Sequence, residues 1–175
     1  MPEKNIVLTG FMGTGKSSVG KRLAALLMMD FYDTDELVEK REKMTIPMIF
    51  RSKGESYFRE SESEVIAEVS MKVNSVIATG GGAVLRESNM KALKKNGIII
   101  CLKANPRIVL QRTSSSHGRP LLKKPGNDLN VIEQMMEERE ICYAGADYTI
   151  DTSNNSDEDT AREILHILGQ GEKCP

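Results

Sequence analysis

Residues Gly10-Phe11-Met12-Gly13-Thr14-Gly15-Lys16-Ser17 fit the phosphate-binding pattern GxxxxGK[ST] and stand between an apolar segment and an amphipathic one. Ile6 to Thr9 has the apolar run of a buried strand, and Val19, Leu23, Leu26 and Leu27 recur at i, i+4, i+7 and i+8 as one helical face. A strand, a glycine-rich loop and a helix in that order are the setting in which the pattern carries chemistry. Glycines at 10, 13 and 15 let the backbone take positive φ and turn successive N–H groups onto phosphate oxygens, with the helix N-terminus adding partial positive charge. Lys16 reaches the β and γ phosphates, and the Ser17 hydroxyl suits Mg²⁺. The ligand implied is a nucleoside triphosphate.

Outward from this loop, strand-like runs at Ile6 to Thr9, Phe31 to Thr34, Val76 to Thr79, Ile98 to Leu102 and Tyr148 to Asp151 alternate with helical patterns. That alternation predicts an α/β fold with five parallel strands and helices on both faces. Ser88 and Asn105 stand as helix N-caps, Pro106 at a first helical position, and Gly54 and Gly97 as helix stops. Residues 113–128, TSSSHGRPLLKKPGND, have no periodicity and read as a mobile loop. The tail after Leu168 is expected to fray.

The chain has 175 residues, the length of one ordinary domain, and a net charge of -1 with a pI near 6.2. Its basic residues are interspersed with acids, which argues against a nucleic-acid binder and for a small-molecule partner. Cys101, Cys142 and Cys174 are widely spaced with no CxxC pair, which suggests neither a disulfide framework nor a zinc site. No apolar run approaches the ~18 residues of a membrane span, and the N-terminus leaves no room for a signal peptide. A soluble, cytoplasmic protein is expected.

What is done with the triphosphate depends on the second metal ligand and on the groups facing the γ-phosphate. Motor and transporter ATPases end an apolar strand in Asp, but Val76 to Thr79 runs into Gly80-Gly81-Gly82, and Ile98 to Ile100 into Cys101-Leu102-Lys103. No NKxD element for guanine is present. A kinase acting on a small molecule is the economical reading.

Asp33-Thr34-Asp35 follows the second strand, and an extended backbone would put both carboxylates on one side, one for magnesium and one for a substrate hydroxyl. Asp35 also reads as the N-cap of the helix Glu36 to Glu42. The three glycines at 80–82 suit either close approach of a ligand to bare N–H groups or a flexible turn. Phe58, the Glu62 stem, Val65, Ile66 and Val69 form a buried helical face. Arg59 at its edge is either a bidentate carboxylate clamp or a surface ion pair with its acidic neighbours, and Arg139 in EERE has the same two readings. Arg119, followed by Pro120 in the loop, could fold over the triphosphate and neutralise charge on the transferred group.

Taken together, GFMGTGKSSVGKRLA at 10–24, DTD at 33–35, IFRSKGESYFRESE at 49–62, TGGGAV at 79–84, RPLL at 119–122 and the EER pattern ending at Tyr143 resemble the bacterial shikimate kinases over nearly the whole chain. The resemblance implies a phosphate-loop kinase fold, a three-layer sandwich with sheet order 2-3-1-4-5. It implies one domain over 1–175, with substrate-binding helices at about 35–65 and a lid at about 113–128. The activity implied is Mg²⁺-dependent transfer of the ATP γ-phosphate to the 3-hydroxyl of shikimate, giving shikimate 3-phosphate and ADP in aromatic amino-acid biosynthesis.

By the same resemblance, Gly13 to Ser18 hold the triphosphate, and Ser17 and Asp33 serve the metal. Lys16, Asp35 and Arg119 are the catalytic set, with Asp35 the candidate base. Arg59 and Arg139 pair with the shikimate carboxylate, Gly80, Gly81 and Gly82 approach the same ligand, and Phe50 and Phe58 line its pocket. Arg112 stacks on adenine. The resemblance also implies a monomer. The stretch 151–155 lacks an arginine that some relatives carry near adenine, and His117 receives no role. Two rivals share the phosphate loop: a sugar-acid kinase of the gluconate type and an ATP-binding module without phosphotransfer.

Overall fold

In the computed structural model, which describes residues 4–114 and 128–171, the segment Asn5–Gly10 forms strand β1 and is buried along its whole length. The remaining strands are β2 (Asp30–Asp33), β3 (Ser75–Ala78), β4 (Gly97–Lys103) and β5 (Tyr148–Asp151). They form one parallel sheet in the order β2-β3-β1-β4-β5. Each expected strand is present to within one residue at either end.

Alternation along β1 distributes the core between the two faces. Ile6 and Leu8 point to the side covered by α1 (Lys16–Leu27) and α7 (Asp157–Gly171), where they meet Val19, Leu23, Ala24, Ala161 and Ile164. Val7 points the other way, to Val65, Ile66 and Val69 of α3 (Ile46–Ser70) and Leu93 of α4 (Glu87–Asn96). The result is the three-layer sandwich expected from sequence. Full burial of each such aliphatic side chain contributes about 1.5–3 kcal/mol. Above the sheet, α5 (Pro106–Ser114) and α6 (Asp128–Tyr143) share a smaller apolar cluster of Phe11, Ala104, Val109 and Ile132. The last helix, α2 (Thr34–Glu42), packs against α3.

Several local expectations are corrected. Leu26 is 41% exposed, and Ala24 and Gly20 are buried in its place. At ~100° per residue, the buried arc from Lys16 through Ala24 centres between Leu23 and Leu27, which leaves Leu26 at its margin. Ser88 lies inside α4, whose N-cap is Arg86. Asn105 does cap α5, its side-chain carbonyl accepting the Arg107 N–H at 3.0 Å. Gly97 ends α4 by entering β4 directly, in an extended conformation, where a Cβ would sit 2.7 Å from both the Leu93 carbonyl and Val7.

Gly54 breaks α3 as expected: its φ of 85° and ψ of 170° bend the chain between two helical arms. Thr113 and Ser114 belong to α5, and α7 continues past Leu168 to Gly171. Residues 115–127, which include Arg119 and most of the expected lid, lie outside the described residues. Among the described residues, no helix is long and apolar enough to cross a membrane.

Candidate active site

A cavity of about 830 Å³ opens at the C-terminal edge of β1, β2 and β3, and it is shared by two chemically different ends. Parallel sheets place ligands at this edge, where helix N-termini and loops converge.

At one end stands the phosphate loop. Gly10, Gly13 and Gly15 have φ of 137°, 78° and 91°, values that a side chain would make costly. The α1 N-cap is Gly15 itself, without a side-chain cap, so the first N–H groups of the helix face the cavity. Lys16 lies back across the loop, its ammonium donating to the carbonyls of Gly10 at 2.9 Å and Phe11 at 2.8 Å. Ser17 and Ser18 also line the cavity. Thr14 is fully buried, its hydroxyl donates to the Phe11 carbonyl, and unlike its neighbours Gly13 and Gly15 it does not line the cavity.

Ser17 and Asp33 meet at the base of the loop, the hydroxyl donating to Oδ2 at 2.5 Å. Asp33, not Asp35, is the N-cap of α2: its Oδ1 accepts the N–H groups of Asp35 at 2.9 Å and Glu36 at 3.3 Å. Helix α2 therefore starts at Thr34, and the expected extended alternation between the two aspartates does not occur. Both still line the cavity, because the first turn of α2 carries Asp35 over the end of β3. A hydroxyl and a carboxylate are the hard oxygen donors that Mg²⁺ takes alongside phosphate oxygens and water. This pair fits such an ion. Among the described residues no group of three or more His, Cys, Asp and Glu could hold a metal on its own.

The opposite end is lined by Asp35, Phe50, Phe58, Arg59, Glu62, Gly80 to Gly82 and Arg139. The rings of Phe50 and Phe58 meet at 4.9 Å across the bend of α3. Arg59 donates to Glu62 at 2.8 Å and Glu55 at 3.3 Å, with its guanidinium 5.1 Å from the Phe58 ring centre. Burial alone would lower the pKa of Arg59, but Glu62 and Glu55 hold it above its ordinary value. Arg59 is thus ion-paired with its acidic neighbours, in a largely buried setting and not at the surface, and it also lines the cavity. Arg139 lies 5.6 Å from the centre of the Phe11 ring.

The glycine triplet is a matter of space. A Cβ on Gly80 would sit 2.5 Å from Asp35 Oδ1 and 2.6 Å from Glu62 Oε1, and one on Gly82 would sit 2.5 Å from Arg59 Nη1. The charged side chains occupy the room that side chains at 80 and 82 would fill. The Gly80 N–H is itself taken by Thr34 Oγ1 at 2.9 Å, and the Gly81 carbonyl accepts the Tyr143 hydroxyl at 2.7 Å. Arg112 lines the cavity from α5, fixed by hydrogen bonds to the carbonyl and hydroxyl of Thr152 at 2.9 and 3.2 Å.

Sequence reasoning missed Glu62 as more than an apolar stem. It is 1% exposed, its Oε1 has no hydrogen-bond partner among the described residues, and burial pushes its carboxyl above the usual range although Arg59, Arg86 and Arg139 pull it down. The i, i+3 spacing from Arg59 was the available signal. Also missed were Glu39, which accepts the Ile46 N–H at 2.8 Å and lines the cavity, and Asn155, Ser156 and Asp157 at its nucleotide end.

A phosphate loop at one end of a cavity and paired arginines at the other define a nucleotide-dependent phosphotransferase of the phosphate-loop kinase class. The shikimate kinase family model matches residues 12–169. A shikimate kinase of Caldanaerobacter subterraneus subsp. tengcongensis is 49% identical over 162 residues, covering 93% of this chain and 94% of that protein. The solved structure of shikimate kinase from Acinetobacter baumannii in complex with shikimate superposes with a TM-score of 0.94 at 37% identity, over 98% of this chain and 96% of that one. Shikimate kinase from Aquifex aeolicus gives 0.84 at 40% identity, over 97% of this chain and 98% of that one. The chain belongs to the shikimate kinase family.

Proposed function

We propose that this protein transfers the γ-phosphoryl group of ATP to the 3-hydroxyl of shikimate, yielding ADP and shikimate 3-phosphate. The observation that carries this reading is the polarity of one cavity: a phosphate loop faces, across Asp35, an end holding Arg59 and Arg139. A hydroxylated ring acid needs an anion clamp at one side and a reactive hydroxyl held in line with the phosphate at the other.

Within it, the N–H groups from Gly13 to Ser18 and the Lys16 ammonium bind the triphosphate. Ser17 and Asp33 would hold Mg²⁺, which when bound would supply charge neutralisation to the triphosphate. Arg59 and Arg139 take the carboxylate, Gly80 to Gly82 admit the ring closely, and Phe50 and Phe58 pack against it. Asp35 accepts the proton of the attacking hydroxyl, while Arg112 flanks the adenine and Arg119 closes from the lid at about 113–128. Residues at about 35–65 are the acceptor-binding helices of a single domain. The protein acts in the cytoplasm as a monomer on small molecules, without nucleic acid or membrane, and its place is in aromatic amino-acid biosynthesis. The near-neutral net charge and the free thiols Cys101 and Cys142 support that setting.

The test is an ADP-release assay with Mg-ATP, run with shikimate and gluconate side by side. Turnover of shikimate is expected. Activity on gluconate alone would make this a sugar-acid kinase, and tight ATP binding with neither acceptor turned over would make it a binding module.

A further inference from the structure

The bend in α3 is held from outside the helix. Gly54 takes φ 85° and ψ 170°, and among the described residues beyond its immediate chain neighbours none comes within 4 Å of where its Cβ would be. The glycine is needed for its dihedrals, not for space, and on the cavity side the Phe50–Phe58 ring contact spans the bend. Both arms contribute to the acceptor end of the cavity: Ile46, Pro47 and Phe50 before the bend, Phe58, Arg59 and Glu62 after it. The angle between the arms therefore sets the width of that end.

A polar cluster also spans the bend, on the face away from the cavity. Glu42, the last residue of α2, accepts through Oε2 from Lys53 at 2.8 Å and Tyr57 at 2.9 Å, and through Oε1 from Ser61 at 2.9 Å. Lys53 belongs to the first arm; Tyr57 and Ser61 belong to the second. Lys53 also lies 3.0 Å from the Tyr57 hydroxyl and 4.2 Å from the centre of its ring. The Glu42 side chain is only 9% exposed, although Lys53 and Tyr57 reach it from the solvent side, and its bonds to them and to Ser61 hold it in one place. Lys53 draws the Glu42 carboxyl below its ordinary range, in keeping with a carboxylate that stays ionised.

We propose that Glu42 is a positioning residue for the acceptor pocket, tying both arms of α3 to the end of α2 and so fixing the bend that brings Phe50 opposite Phe58 and Arg59. The inference rests on shikimate being the acceptor, as proposed above. Lys53, Tyr57 and Ser61 are its working partners.

The test is steady-state kinetics of Glu42→Gln with shikimate and ATP varied separately, with shikimate affinity measured by calorimetry. The expected result is a rise of roughly three- to tenfold in KM and Kd for shikimate, with kcat and the KM for ATP within about twofold. Tyr57→Phe, which removes one oxygen and is the milder variant should Glu42→Gln fold poorly, is expected to move the same constants in the same direction. Arg41→Gln serves as the control, because Arg41 joins the same two helices through Glu64 and Glu68, away from the bend. Unchanged shikimate constants in both cluster variants, or an equal rise in the Arg41 variant, would overturn the proposal. Failure of the unmodified protein to use shikimate would instead overturn the functional reading.

Discussion

The Ser17 hydroxyl donates to Oδ2 of Asp33 while Oδ1 of the same carboxylate caps α2. One side chain thus begins α2 and faces the phosphate loop. The two tasks separate by substitution, since Asn caps a helix as well as Asp does but brings no charge. Asp33→Asn is expected to keep its melting temperature and to lose roughly 10- to 100-fold in apparent Mg²⁺ affinity, read from a metal titration of the kinase rate. Asp33→Ala should lose the cap as well, a further cost of about 1 kcal/mol in a denaturant melt. An unaltered metal titration in both would remove Asp33 from the metal site.

Gly82 is crowded by a movable group. Its Cβ would meet the tip of Arg59, not backbone, and its own φ of -102° suits any residue. Gly82→Ala should therefore fold and displace the guanidinium, raising KM for shikimate by about tenfold with the KM for ATP unchanged. Equal effects on the two substrates would show that the triplet serves the site as a whole.

Arg139 reaches the cavity from α6, apart from the elements that carry Arg59. On the proposed role, replacing it by Ala should cost one charge-assisted contact to the acceptor carboxylate, an expected loss of roughly 10- to 100-fold in shikimate affinity. ATP affinity should be spared. Calorimetric titration with each substrate checks this, and normal shikimate binding by the variant excludes the clamp.

Glu62 gives a pH dependence with a definite sign. Burial, opposed by Arg59, Arg86 and Arg139, holds its carboxyl above the ordinary 4.5. From there up to the raised value, the folded chain binds more protons than the unfolded one, so this group's contribution to stability is full below about 4.5 and is lost as pH rises through the folded value. Glu62→Gln removes that titration. The difference in melting temperature between variant and parent should shift in the variant's favour as pH rises from about 4 to about 7. A difference that stays flat across the series would mean that Glu62 titrates normally.

Two leucines three residues apart should behave differently. Leu23 is fully buried among Ile6, Leu8 and Val19, so Leu23→Ala is expected to cost about 2–5 kcal/mol. Leu26→Ala, on the exposed margin of the same helix, should stay within about 0.5 kcal/mol. Urea melts of the two variants make the comparison.

The contrast between these leucines marks what the sequence makes legible. Periodicity located every strand, the order of elements and the helix carrying the phosphate loop, because burial of β1 and its neighbours imposes those patterns directly. It could not place Leu26, since a spacing of seven from Val19, already to one side of the buried arc, falls about 20° further out, at its margin. At the site, residue types defined the two ends, but not which aspartate caps α2. That choice depends on where β2 stops, and one residue decides it. Glu62 stayed hidden for a different reason: an acid at helical spacing from an arginine reads as a surface pair until the fold buries it under Gly80.

Thr152 stands at the far end of the chain from the loop it supports. Its hydroxyl lies 3.1 Å from the carbonyls of Thr14 and Lys103, and it holds Arg112, which also reaches the Gly13 carbonyl at 3.4 Å. As the chain leaves the ribosome, the glycine-rich loop is therefore made early and braced late. A nascent chain that has not yet produced residue 152 holds the Gly10 and Phe11 carbonyls through Lys16 and Thr14 but lacks the brace on the Thr14 carbonyl, so the loop's last internal bond closes only when most of the chain has been made.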